Sequence, residues 1–469
     1  MKQHNQRSKS KQQKTRWGNK PWSSFPILNV NAAGIDIGSK EHWVAVPADR
    51  DEQPVRKFGC FTADLYALAD WLKKCQVQTV AMESTGVYWI PLFQVLESRG
   101  FEVKLVNARH VKNVPGRKTD VQDCQWLQRL HTYGLLTGSF RPPDQICVLR
   151  SYWRHRDNLI RYAAAHVQHM QKALTEMNIQ LAKVLSDITG ESGMRIIRSI
   201  LAGERDPLKL AQMKDRRVKS PIEQIVKALE GDYRSEHLFA LRQAVELYDF
   251  YHRQIQACDV QIAECFKQFD SKVDLQTNPL PPSKRGPKKP RRNEPHIDFR
   301  AHWYQVTGVD FTQIDGLDVL TIHSILSEVG LNPEVFPTHK HFSSWLGLCP
   351  DNRVTGGKVQ STRTRKVVNR AADAFRLSAQ TMARSSSALG GYYRRMRARL
   401  GAPKAITATA HKLARIFYHL WKTGKPYHDP GADYYEKQYK ERFIRNITLK
   451  AKQLGYQISL QPILTGEVS

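Results

Sequence analysis

Four acidic residues carry the chemistry this sequence offers most plainly. Asp120 and Asp123 stand three residues apart in RKTDVQDCQWLQRL, from Arg117 to Leu130. Val121, Cys124, Trp126, Leu127 and Leu130 give that stretch an apolar side. Three-residue spacing on a helix puts both carboxylates on one face. Taken alone, the pair is explained by capping and by the helix dipole. Upstream, two further acids end hydrophobic runs: Asp36 in AAGIDIG and Glu83 in TVAMESTG. An acid at a strand end is costly unless something cationic answers it. Four acids from three elements that could converge point to a metal site. Carboxylate oxygens suit hard Mg2+, with a nucleic-acid phosphate as its remaining ligand. Two such ions, about 3.5–4 Å apart, stabilise both the attacking and the leaving oxygen at phosphorus. No His or Cys is obviously placed as a ligand. Lys112, Arg117 and Lys118, in the basic loop before the paired aspartates, are candidates to hold the phosphate backbone. The alternative for them is a solvated loop.

The elements that must position these acids follow from hydrophobic patterning. AAGIDIG, HWVAVPA and KFGCFTA read as three strands of an antiparallel meander, with GSKE as the first turn. DLYALADWLKKC has helical spacing, TVAME is a buried strand, VYWIPLFQVLESRG is a helix closed by Gly100, and FEVKLVN is a further strand. Three strands followed by alternating helices and strands is the order of an α/β RNase H-like domain. In that order Asp36 leaves the first strand and Glu83 the fourth. The paired aspartates come from a late helix beside the sheet edge.

The whole chain has 469 residues, enough for two or three domains, and 41% are hydrophobic. Lys and Arg number 72 against 44 Asp and Glu, a formal net charge of +28. Such a surplus makes nucleic acid the first candidate partner. The seven cysteines are scattered, odd in number and include no C-x-x-C pair, so neither a zinc knuckle nor a disulfide framework is indicated, and they read as buried thiols in a reducing compartment. The first twenty residues are basic without an apolar core, and no run is long and apolar enough to span a bilayer. Cytoplasmic residence and no membrane partner are expected.

Beyond the acids, the stretch from Arg150 to about Lys183 and the stretch from Pro221 to Phe269 read as two long helices of a hairpin or coiled coil. PLPPSKRGPKKPRRNEP, from Pro279 to Pro295, is a cationic linker. After it, Ile314-Asp315-Gly316-Leu317 between apolar helical runs has the form of a helix-hairpin-helix turn, with a plain helix corner as the alternative. Arg353, Lys358, Arg363, Arg365, Lys366 and Arg370 face only Asp351 and Asp373 nearby, an imbalance suited to phosphate.

GIDIG, MESTGVYW and RKTDVQDCQWL resemble the RuvC-like catalytic domain of DEDD transposases in bacterial mobile elements, and specifically the insertion sequence 110 family, whose members use a bridge RNA to choose DNA targets. The resemblance covers residues 31–145 and implies that Asp36, Glu83, Asp120 and Asp123 form the metal-binding set. Residues 310–425 resemble the same family's C-terminal domain, which places a nucleophilic serine before a glycine downstream of W-L-G-L-x-P. Here that position is Thr355, in Val354-Thr355-Gly356-Gly357. Threonine keeps the hydroxyl and adds a methyl that crowds in-line attack. Ser361 is the nearest serine downstream, and the register of the glycines argues against it.

The resemblance implies a bacterial recombinase acting on DNA through a covalent hydroxyl–DNA intermediate, with a guide RNA, two Mg2+ ions and a homodimer or homotetramer. Nucleophile and acids fall on separate domains, so a composite site is expected. The expected organisation is a basic tail over 1–30, a RuvC-like domain over 31–148, a helical coiled-coil arm over 149–270 and a basic linker over 271–300. A mainly α transposase domain with a helix-hairpin-helix-like opening follows over 301–430, then a polar tail over 431–469. The rivals are a RuvC-like nuclease that uses water and a catalytically impaired relic that only binds nucleic acid.

Overall fold

The computed structural model describes residues 26–107, 119–284, 293–457 and 459. Lys112, Arg117, Lys118, most of the basic tail and the basic stretch 285–292 of the linker lie outside the described residues. The chain divides into two compact units, 1–141 and 142–469.

In the first unit the meander forms as its alternating sequence requires. Strands β1 (Ala32–Ile37), β2 (Glu41–Ala45) and β3 (Val55–Gly59) pair antiparallel in succession. Helix α1 (Thr62–Lys74) then crosses to β4 (Thr79–Glu83), which lies parallel to β1, and α2 (Trp89–Ser98) leads to β5 (Glu102–Val106), parallel to β4. The sheet order is β3-β2-β1-β4-β5, a mixed α/β sheet with β1 at its centre. Ile35, Ile37, Val80 and Met82 bury one face of the sheet together with Leu65, Leu68, Leu72, Leu92 and Leu96 of the two crossover helices.

Helix α3 (Asp120–Thr132) packs across β1, β2 and β4. Leu127 meets Ala81, Val106 and Leu136 in a separate small core on that side. The expectation that this helix sits beside the sheet edge is therefore corrected: it lies on a face. Gly34 is the reason. A side chain there would come within 2.2 Å of the Gln128 amide nitrogen and 2.4 Å of the Cys124 carbonyl oxygen.

The second unit opens on two 33-residue helices, α4 (Asp144–Glu176) and, after four short helices, α9 (Ser235–Lys267), packed along each other. The first begins six residues before Arg150, with Pro143 as its N-cap. The short helices α5 (Leu181–Val184), α6 (Glu191–Leu201), α7 (Pro207–Gln212) and α8 (Ile222–Leu229) build a core of their own. Ile196, Ile197, Ile200, Leu210, Ile225 and Leu229 fill it against Met170 and Leu241 of the long pair.

The C-terminal part is mostly helical: α10 (Phe299–Thr307), α11 (Val319–Val329) and α12 (His339–Trp345), then the hairpin β6 (Arg353–Thr355) and β7 (Lys358–Ser361). Helices α13 (Arg370–Thr381), α14 (Ala388–Leu400) and α15 (Ala402–Thr423) follow. Phe311 and Phe342 stack on Phe417 at its centre, and Phe375 meets Phe417 edge-on. At the turn before α11, the backbone of Gly316 is approached by the Met382 side chain and the Ser378 carbonyl. Residues 434–453, expected as polar tail, form helix α16 (Tyr434–Gln453).

Because main-chain atoms of α3 occupy the space over Gly34, Gly34→Ala is expected to destabilise the chain by about 1–3 kcal/mol through overpacking. Thermal unfolding checks this. An unchanged midpoint would mean that α3 is not held against β1.

Candidate active site

The pleat and the register decide where the strand acids point. Ile35 and Met82 are directly paired across the parallel β1–β4 ladder, and both side chains enter the core on the α1/α2 side. Successive side chains on a strand alternate in face. Asp36 and Glu83, each one residue further on, therefore turn to the opposite side, where α3 lies. They leave the C-terminal ends of neighbouring parallel strands. Both are only partly buried.

Helix α3 runs antiparallel to β1. Its far end is tied to the segment before β1 by the amides of Leu28 and Asn29, which donate to the Thr132 carbonyl at 3.0 Å each. The side-chain amide of Gln128 donates to the Ala32 carbonyl at 3.4 Å. The N-terminal turn, with Asp120 and Asp123, is thereby directed to the same end of the sheet as Asp36. The Cys124 thiol registers that approach. Burial pushes it up to about 12, and the nearby charges of Asp36 and Asp123 push in the same direction.

Capping, the competing account of the aspartate pair, has its own residue. The Thr119 hydroxyl accepts from the Gln122 amide at 3.3 Å, so the N-cap oxygen comes from Thr119. Asp120 and Asp123 still complement the positive end of the helix dipole. Asp120 is exposed and Asp123 half-buried. Near Glu83, the Thr85 hydroxyl donates to its carboxylate at 3.4 Å.

The donor chemistry suits a hard divalent cation: carboxylate oxygens on three elements. Their side chains are not drawn into a closed cage. Among the described residues, no group of three or more His, Cys, Asp or Glu stands close enough to hold a metal ion. The backbone brings the acids to one end of the sheet without collapsing them onto one point.

In the second unit, Thr355 ends β6, opposite Lys358, and Gly356 and Gly357 make the turn with φ of +55° and +74°. Positive φ at both central residues is the signature of a type I′ hairpin, which glycine adopts without strain. Thr355 is exposed. Its neighbours differ in what they are free to do. Arg365 donates to the Ser344 carbonyl at 2.5 Å, and Arg370 pairs with Asp157 of α4 at 3.2 Å. Arg353 reaches Asp351 at 3.7 Å, while Lys358, Arg363 and Lys366 are exposed. Sequence reasoning missed Gly34 and Thr119 as positioning residues. A glycine inside a strand marks close backbone approach, and a threonine before an acidic first turn marks a cap, so both signals were present.

Comparison with known proteins bears on both units. A family model for the DEDD transposases of IS110, described as Transposase, matches residues 33–179. A second model, described as Transposase IS116/IS110/IS902 family, matches residues 310–394. No curated protein matches the chain. The first match contains all four acids and the second contains Thr355 and its cationic hairpin. DEDD-type domains generally use divalent metal ions and have an RNase H-like fold, and transposases act on DNA. Two matches in the same order, over residues 33–179 and 310–394, support a DEDD transposase of the IS110 family, an enzyme with transposase/recombinase activity.

Proposed function

We propose that this transposase cuts and rejoins DNA by phosphoryl transfer, with the hydroxyl of Thr355 attacking a phosphodiester. The observation that carries the reading is the direction of Asp36, Glu83 and the α3 aspartates to one end of the sheet, in a chain that matches transposase models in both units. Asp36, Glu83, Asp120 and Asp123 would hold Mg2+, two ions in this reading, which when bound supplies positive charge at the phosphate. The Oγ1–P ester forms as the P–O bond to the leaving strand breaks. The hydroxyl proton passes to water and the leaving oxygen gains one. Ester bonds are conserved in number, so the reverse attack by a strand hydroxyl rejoins DNA without an outside energy source.

The wider reading follows the family resemblance: a bridge RNA guides the enzyme and it works as a homodimer or homotetramer in the bacterial cytoplasm. The cationic surplus supports a polyanion partner. Among the described residues, no helix is long and apolar enough to cross a membrane. The α4/α9 pair would serve as the arm, and 301–430 as the transposase domain. Attack by water is the second reading, favoured by one observation: among the described residues, no hydrogen bond prepares the exposed Thr355 hydroxyl.

Incubating the protein with guide RNA, target DNA and Mg2+ is expected to trap a protein–DNA adduct that survives denaturation and maps to Thr355 by mass spectrometry. Thr355→Ala should lose the adduct, and Thr355→Ser should keep or increase it. Cleavage without an adduct, unaffected by Thr355→Ala, would establish water as nucleophile. An adduct at Ser361 would move the site along the hairpin.

Asp36→Ala, Glu83→Ala and Asp123→Ala are each expected to abolish strand cleavage while nucleic-acid binding persists. Without metal, removing one of several like charges should leave the unfolding midpoint unchanged or slightly raised. Normal Mg2+-dependent cleavage by the Asp36→Ala protein would sink the assignment.

Neutralising Lys358, Arg363 and Lys366 together should flatten the dependence of binding on salt by about 0.9 in log–log slope for each phosphate the protein no longer neutralises. Arg370→Gln, which breaks a pair inside the protein, should leave the slope near its original value. The opposite ranking would assign the phosphate-binding role to Arg370.

A further inference from the structure

The C-terminal half of α15 holds a concentration of positive charge that the reaction above does not use. A cavity of about 590 Å3 opens there, bounded by the start of α12 and by residues 426–428. Lys412, Arg415, His339, His419, Tyr427 and His428 line it, and no carboxylate among the described residues does, although Asp429 beside His428 bonds the Tyr427 hydroxyl. Among the described residues, Lys412 and Arg415 meet no carboxylate at ion-pair distance, whereas Lys422 on the rim is answered by Glu334 at 2.5 Å. The Lys412 ammonium stands over the rings of Tyr435 at 3.8 Å and Tyr392 at 4.7 Å. It is a cation held in place by aromatic faces.

Crowding of like charge is costly. Burial, then Arg415 and Arg442, brings Lys412 down to about 8. His411 and His339 are lowered by burial and by Arg415. An arrangement that suppresses its own charge becomes favourable when an anion enters it. Phosphate alone would leave most of the volume empty. The remaining wall is aromatic: Tyr418 is a buried ring, Tyr427 a half-buried one with the Lys284 ammonium over its ring at 5.1 Å, and the imidazoles of His419 and His428 are exposed beside them. Cations against a phosphate and flat rings against a base are the two parts of a site for single-stranded nucleic acid.

We propose that this cavity binds one unpaired nucleotide of a nucleic-acid strand, with its phosphate against Lys412 and Arg415 and its base against the rings of Tyr427 and His428. The proposal rests on the reading that the chain handles nucleic acid, and it adds a distinction between unpaired and fully paired strands. A duplex cannot present a base to such a cavity without extruding it, whereas a single strand or a bulge can.

The test uses the full chain and a short oligonucleotide carrying one 2-aminopurine, in deoxy and ribo forms, each single-stranded and fully paired. Binding is read by anisotropy and stacking by quenching of the 2-aminopurine. Lys412→Gln and Arg415→Gln are each expected to weaken single-strand binding by about tenfold and duplex binding by no more than about twofold. His428→Ala, at an exposed position, should reduce the quenching while the unfolding midpoint holds. Selective loss in either sugar series supports the site, and the series affected identifies the strand as DNA or RNA. Equal losses for strand and duplex would make these residues part of a general cationic surface and overturn the proposal, as would unchanged single-strand binding. A native chain that binds duplex normally while the variants are indistinguishable from it removes the cavity alone. A native chain that binds no form removes the wider nucleic-acid reading and the cavity with it.

Discussion

The contact of α3 with β1 at Gly34 is the constraint on which the acidic site depends. Asp36 and Glu83 are fixed by the sheet, because parallel pairing of β1 and β4 leaves no freedom in their relative register. Asp120 and Asp123 belong to a helix, and a helix can slide. Its position is set where main-chain atoms of Cys124 and Gln128 sit against Gly34, closer than any Cβ would permit. The far end is secured by the Thr132 carbonyl and by His131, which meets the Thr79 hydroxyl at 2.8 Å. Burial holds that imidazole down to about 4, so it stays neutral as a spacer between helix and sheet. A shift of one turn would carry Asp123 about 5.4 Å from its place, more than a carboxylate can recover by rotation.

The second unit solves a related problem with aromatic stacking and buried cations. Trp153 of α4 donates to the Ser324 hydroxyl at 3.2 Å and meets His323 edge-on at 4.2 Å, joining the long helices to α11. His323 also stacks on Phe299 at 4.1 Å, and burial, then Arg156, lowers it to about 3. Arg154 clasps Glu328 with two bonds of 2.9 and 2.6 Å. The buried Arg156 guanidinium is answered by Asp259 of α9 and by the Asn293 carbonyl at 2.9 Å. A buried cation left with one of these partners missing would be strongly destabilising. The pair of long helices and the C-terminal helices are therefore coupled through charges that cannot be separated cheaply.

Much of this is legible in the sequence, for identifiable reasons. The five strands and three helices described in the first unit follow two clean periodicities, and Gly100 ends α2 with φ of +81° as its position implies. What the pattern cannot say is which surface α3 covers, since an apolar stripe fits a face or an edge. Periodicity starts α4 too late because Asp144 to Leu149 alternates poorly, although Pro143 marks the true beginning. The four short helices between α4 and α9 bury a joint core drawn from residues 163 to 248, and no one segment carries enough of it to announce itself. Helix α16 is nearly all exposed, so its sequence reads as tail. Of six cations in the Arg353–Arg370 stretch, Arg365 and Arg370 have partners inside the protein, on segments too distant in sequence to foresee.

Thr355 shows how the setting changes the meaning of a residue type. In a sequence, the extra methyl of threonine counts against attack because it crowds an incoming phosphorus. In the hairpin the residue is exposed at the end of a strand. β-Branching also favours the extended backbone that β6 adopts, and it narrows χ1 to fewer rotamers, so less side-chain freedom remains to be lost when the hydroxyl is aligned. The directly opposed residue is Lys358, on the same face of the two-stranded ladder. In the proposed reaction a cation there would stabilise the negative charge that develops as the hydroxyl proton leaves, and would attract the phosphate under attack. For a nucleophilic threonine, electrostatics and restricted rotation would thus act in favour at the position where steric bulk alone would act against it.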